Sequence, residues 1–168
     1  GKKIYDIVFR VSNKDVAFKY IMYPQRETRS CVILNETTGF VLPQGSTTFL
    51  CPQVKPMGGF ARTYPSYETP YTVDETMGKN GWGEGYTFPC LFKNNDKGWV
   101  LISETGVSSA YCGSRLMGHE NGLYTIGYPQ PGENNGNGTN TVGIPLPGDT
   151  PWRTITIGET LAPIVETT

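Results

Sequence analysis

Short runs in which apolar and polar positions alternate recur along most of this chain. From Ile4 to Val11, the residues Tyr5, Ile7, Phe9 and Val11 share one face, and burial with a period of two is the signature of a β-strand. A second run, Val16 to Met22, follows the polar turn Ser12-Asn13-Lys14-Asp15, so the two read as an antiparallel hairpin. Further strands are expected at Ser30 to Leu34, Thr47 to Cys51, Phe60 to Tyr64, Thr87 to Phe92, Trp99 to Glu104, Tyr111 to Met117, Leu123 to Gly127 and Trp152 to Ile157. No segment of useful length carries a helical period, which leaves room for a helical turn or two at most. Many short strands separated by turn signals predict an all-β fold, an antiparallel β-sandwich, formed as one domain over residues 1–168.

Composition sharpens that picture. The 21 Gly and 13 Pro interrupt the chain too often for long helices, and two stretches rich in Gly, Asn and Pro, Met77 to Gly85 and Pro129 to Gly148, are expected to be surface loops. Neither has the spacing of a phosphate cradle. Asn35-Glu36-Thr37 and Asn137-Gly138-Thr139 match the glycosylation sequon, a pattern short enough to arise by chance. The net charge of -1 and the scattered lysines and arginines give no footprint for nucleic acid or an anionic membrane, and no apolar run is long enough for a transmembrane helix. Gly1 to Lys3 is neither a start methionine nor a secretory signal, so the N-terminus is expected to be a processing or artificial boundary.

Candidate chemistry is sparse. Cys31, Cys51, Cys90 and Cys112 are at least 20 residues apart and are expected to be free, buried thiols. His119 is the only histidine, which leaves little material for a zinc centre or a His-activated nucleophile. Glu104 stands out because the run Trp99-Val100-Leu101-Ile102-Ser103 leads from apolar residues directly to a carboxylate. Such a group must find a counter-ion, hydrogen bonds or a metal, or else be solvated at the strand end. Trp82, in a Gly-rich loop, and Tyr86 are candidate contacts for a sugar ring, since exposed rings can stack on one.

Several elements in order resemble the N-terminal domain of glycoside hydrolase family 97, the α-glucosidases and α-galactosidases of Bacteroidetes. These are Phe9-Arg10-Val11 through Val16-Ala17-Phe18-Lys19-Tyr20; Tyr67-Glu68 with Tyr71; Ile102-Ser103-Glu104-Thr105 with Tyr111 and Leu116; and Pro151-Trp152-Arg153-Thr154-Ile155 with Leu161 to Glu166. Asp15 stands where the family usually has Gly, Lys19 where it has Arg, and Ser103 and Thr105 where it has Thr and Ala.

The resemblance implies a galactose-mutarotase-like super-sandwich, of which this chain is the later part. It implies a catalytic (β/α)8 barrel of the same polypeptide, expected after residue 168, that carries the catalytic residues and acts on oligosaccharide; this chain alone would be non-catalytic. It implies that Glu104 is a calcium ligand in the full-length enzyme, with its carboxylate at least partly exposed on the face that the barrel covers. It further implies a secreted or periplasmic bacterial protein. A sandwich that begins part-way would expose apolar strand edges, so self-association of the chain is expected. A free-standing carbohydrate-binding module, or a non-catalytic adhesion sandwich, is the alternative.

Overall fold

The computed structural model describes residues 2–53, 71–77, 85–133 and 139–167. The strand expected at Phe60 to Tyr64, as well as Tyr67, Glu68 and Trp82, lies outside them.

The described residues are β-structure with one short helix, as the alternating runs require. The strands are β1 (Tyr5–Val11), β2 (Asp15–Met22), β3 (Ser30–Ile33), β4 (Gly39–Val41), β5 (Thr47–Pro52), β6 (Glu75–Thr76), β7 (Tyr86–Lys93), β8 (Trp99–Thr105), β9 (Arg115–Glu120), β10 (Leu123–Gly127), β11 (Val142–Pro145), β12 (Gly148–Asp149) and β13 (Trp152–Gly158). The helix α1 spans Ala162–Thr167 and packs on β13. Eleven strands form one curled antiparallel sheet whose main path runs β1-β2-β13-β8-β7-β9-β10-β4, while β5 pairs with β7, β6 with β5 and β12 with β2. A separate two-stranded ribbon joins β3 and β11.

The sheet folds back so that residues distant along its path meet in the core. Phe18 of β2 lies 6.4 Å, ring to ring, from Phe40 of β4, although the two strands are near opposite ends of that path. Phe40 belongs to one buried cluster with Leu50, Tyr86, Cys90, Phe92, Ile102, Leu116, Tyr124 and Ile126, against which Phe18 packs. A smaller cluster of Tyr111, Val142 and Ile144 sits beneath the β3–β11 ribbon and packs against Met22, Cys31 and Cys112. None of the four cysteines forms a disulfide; Cys51 and Cys90 are buried and Cys31 and Cys112 half-buried.

Two turns set the register. At β1–β2, the Ser12 hydroxyl bonds the Asp15 carboxylate and the Ser12 amide bonds the Asp15 carbonyl, which pairs Val11 with Val16. At β9–β10, Asn121 and Gly122 both take positive φ, 53° and 80°, the geometry that an Asn-Gly hairpin turn needs. A side chain at Gly122 would place its Cβ 2.5 Å from the Leu42 carbonyl oxygen, so close backbone approach requires glycine there as well.

Some boundaries differ from the sequence reading. Tyr111 to Ser114 are not in a strand, and β9 begins only at Arg115. Gly39–Val41, Glu75–Thr76, Val142–Pro145 and Gly148–Asp149 are strands that the sequence reading did not mark, the third within the stretch expected to be loop and the last at its end. Their two to four residues are too few to carry a readable alternation, and pairing partners hold them instead. The row Tyr5, Ile7, Phe9 and Val11 is exposed on β1, the end strand of the sheet path.

Candidate functional site

Period-two geometry carries charge into the interior at one place. β8 and β13 pair so that Ile155 lies opposite Ile102 and Arg153 opposite Glu104. Directly opposed residues share a face. The face that buries Ile102 in the core therefore also receives Glu104 from β8 and Arg153 from the centre of the sheet. Arg153 has no exposed surface, and the side chains of Glu104 and Glu36 retain only 9% and 6% of theirs.

Three ionised groups and a serine satisfy one another there. Arg153 donates from Nε to Glu36 Oε1 at 3.0 Å and from Nη2 to Glu36 Oε2 at 2.6 Å, a two-point grip. Its Nη1 donates to Glu104 Oε2 at 2.5 Å and to Ser114 Oγ at 2.7 Å. Ser114 closes the ring, its Oγ donating to Glu104 Oε2 at 2.5 Å and its backbone N–H to Glu104 Oε1 at 2.9 Å. Burial by itself would lower the Arg153 pKa, but the hydrogen bonds and charge of Glu36, with the charge of Glu104, outweigh it and raise the pKa instead. Two carboxylates around one guanidinium leave the cluster with one net negative charge.

Glu104 thus sits at the end of the Trp99 strand, as the sequence reading placed it, but its surroundings correct that reading. A carboxylate at least partly exposed on an outer face was expected; the side chain is instead turned inward and paired with Arg153. The cause is phase: Glu104 is two residues from Ile102 on an alternating strand, so it shares the core-facing side. Tyr86 is corrected too. It is 1% exposed and packs 6.3 Å from the Tyr124 ring, so it has no ring face to offer a sugar. Trp82 lies outside the described residues.

Glu36 and Ser114 were missed by sequence reasoning. Glu36 was legible only as the middle of a sequon, and it lies between β3 and β4 with no periodic run around it. Arg153 carried a usable signal, being in phase with Ile155 on a strand that crosses the centre of the sheet. In a second pair, Arg115 Nη2 donates to Glu133 Oε1 at 2.5 Å and the Gln130 amide donates to the same oxygen, while Arg115 Nε and Nη1 have no hydrogen-bond partner among the described residues.

The cluster can be tested against a cation. Among the described residues no group of three or more His, Cys, Asp or Glu side chains could hold a metal, so this chain cannot supply a complete site from them. It can supply one ligand. Each carboxylate oxygen has two lone pairs, and among the described residues Glu104 Oε1 accepts a single bond, from Ser114 N–H. Next to it stands exposed Gly113, where a Cβ would lie 3.7 Å from Oε1, so Gly113 itself places no side chain there. The spare lone pair and the net negative charge fit one ligand position on a hard cation.

The same carboxylate acts on Cys112. Burial first, and the Glu104 charge second, push that thiol up to about 11 from an ordinary value of 9.0. The folded state therefore keeps a proton that the unfolded state loses, and stability should fall as pH rises from about 9 to about 11. Because the thiolate is the nucleophile, Cys112 should alkylate at least about tenfold more slowly than an unfolded thiol near pH 9. Glu104→Gln should speed the reaction. Mass-resolved labelling of native protein between about pH 8 and pH 10 checks this, and equal rates in the two proteins would remove Glu104 as a cause.

Comparison with known proteins places this arrangement. The family model described as Glycosyl-hydrolase 97 N-terminal matches residues 1–168. A curated relative from Streptomyces bingchenggensis, named "Probable retaining alpha-galactosidase", is 29% identical over 170 residues, covering 100% of this chain and 22% of its own length. A crystal structure of a β-arabinopyranosidase is 54% identical, with a TM-score of 0.91 over 98% of this chain and 26% of that one. A glycoside hydrolase family 97 enzyme from Pseudoalteromonas sp., in complex with panose, shares the fold at a TM-score of 0.74 and 24% identity, covering 96% of this chain and 22% of that one. The chain spans about a quarter of the length of these proteins or less. With a family model matched from end to end and an antiparallel curled β-fold common to these structures, this chain belongs to glycoside hydrolase family 97, as its N-terminal domain.

Proposed function

We propose that this domain packs on a catalytic barrel of the same polypeptide and presents Glu104 to a calcium ion that the barrel also holds, in a secreted or periplasmic enzyme that cleaves glycosides. The observation that carries the reading is the buried cluster with one net negative charge, in which Glu104 Oε1 keeps a free lone pair beside exposed Gly113. A carboxylate alone cannot satisfy an ion that takes six to eight oxygens, which is why the remaining ligands must come from elsewhere. Bound there, the cation would supply Lewis-acid or orienting chemistry to a substrate oxygen. This chain's residues contribute by holding the carboxylate in place: Arg153 and Ser114 fix Oε2, and the Ser114 amide fixes the plane of Oε1.

The substrate is proposed to have the galactose configuration. An α-D-galactopyranoside and a β-L-arabinopyranoside share ring stereochemistry and differ only by the exocyclic hydroxymethyl group, so the names of the two more similar relatives describe one sugar shape. The reading as a free-standing sugar-binding module has less support, because Tyr86, one of its two platform rings, is in the core.

In the test, the full-length enzyme should hydrolyse aryl α-galactosides and β-L-arabinopyranosides in preference to α-glucosides, while the isolated chain shows no turnover. Glu104→Gln in the full-length enzyme should shift the calcium dependence of activity to higher concentration. Turnover by the repurified isolated chain, or a calcium titration of Glu104→Gln that overlays the parent's, would overturn the proposal.

A further inference from the structure

Sequence places Glu36 117 residues from Arg153, in a segment with no periodic pattern, yet it receives the two-point grip of the buried cluster. We propose that Glu36 and Arg153 are positioning residues that keep Glu104 Oε1 available for a cation, an inference that rests on the calcium reading of Glu104.

A guanidinium has five N–H groups in a rigid fork, and its preferred grip on a carboxylate is two-pointed. Arg153 spends that grip on Glu36, through Nε and Nη2. Of its remaining donors, Nη1 reaches Glu104, at the single oxygen Oε2, and also Ser114 Oγ. Ser114 Oγ accepts from the same Nη1 and donates to the same Oε2, which pins the end-on geometry. Among the described residues Oε1 is therefore left with one amide and one spare lone pair.

Without the Glu36 charge, two things change in the same direction. The fork is released to take both oxygens of Glu104, which occupies the free lone pair. The cluster also goes from one net negative charge to none, which removes its attraction for a cation. Glu36 needs no contact with the ion to have either effect. Residues that orient a metal ligand from behind change affinity by about 10- to 100-fold when altered.

The experiment is calorimetric titration of calcium chloride into calcium-depleted full-length enzyme, with thermal midpoints measured in the absence of calcium. Glu36→Gln is expected to weaken calcium binding by about 10- to 100-fold, Glu36→Asp by less because it keeps the charge, and Glu104→Gln by at least as much as Glu36→Gln. A merely structural Glu36 would lower the thermal midpoint and leave the affinity unchanged. If Glu104→Gln weakens binding while folded Glu36→Gln binds like the parent, the positioning role is overturned and the calcium reading stands. If Glu104→Gln itself binds like the parent, both fall. Should Glu36→Gln fail to fold, Ser114→Ala tests the same network, because it keeps the amide on Oε1 and removes the hydroxyl that pins Oε2. Weaker binding there supports the role, and parental affinity overturns it.

Discussion

Replacing Arg153 with alanine is expected to destabilise the domain by about 3 to 5 kcal/mol, because it leaves two carboxylates facing each other in the interior with no counter-ion. Glu36 and Glu104 keep 6% and 9% of their side-chain surface, so water cannot take over the role of the guanidinium without opening the structure. The magnitude is that of breaking a buried pair, not the net worth of forming one, since removing three charged groups from water already costs several kcal/mol per ion. Replacing Glu36, Arg153 and Glu104 together by apolar residues of similar volume should consequently cost less than the single substitution. Urea unfolding followed by tryptophan fluorescence, with Trp152 adjacent in sequence, reads both. A loss below about 1 kcal/mol for Arg153→Ala, the range of exposed ion pairs, would mean that the cluster is solvated.

Phe92→Ala should produce a loss of similar size from a different cause. Phe92 has no exposed surface and meets the Tyr124 ring edge-on at 5.0 Å, at the centre of the cluster that joins β7 to β10. Truncation removes about 3 to 5 kcal/mol through lost transfer energy and a cavity that close-packed neighbours cannot refill. Phe9→Ala is the internal control. Phe9 is 61% exposed on β1 and touches Phe18 from one side, so its truncation should cost well under half as much. Thermal unfolding of the two variants side by side gives the comparison, and equal midpoints would place the centre of the core elsewhere.

The difference between these two phenylalanines also shows where sequence reasoning reaches its limit. Phe9 and Phe92 both lie in short alternating runs, and both read as strand residues that face a core. Strand character is local, and it held for β1, β2, β7, β8, β10 and β13 to within one residue at either end. How much each face is covered depends on which strands lie across from it. Tyr5, Ile7, Phe9 and Val11 belong to an end strand, and the described residues leave them exposed. The same limit explains Tyr86, whose ring was read beside a Gly-rich loop yet is held between β7 and β10 in the core.

The sequence by itself determined the longer strands, the β1–β2 turn, and the presence of Glu104 at the end of an apolar strand, because each follows from neighbours within a few positions. Family membership was legible for a related reason, since ordered motifs persist along the chain. Tertiary structure alone decided that Glu104 faces inward, because its environment depends on the strand register that sets Arg153 opposite it. It also decided that Glu36 completes the cluster, because no local pattern links a residue between β3 and β4 to one on β13. Strand formation is governed by short-range backbone and side-chain preferences, whereas the charge balance of a buried site is a sum over residues that only the closed fold brings within hydrogen-bond reach.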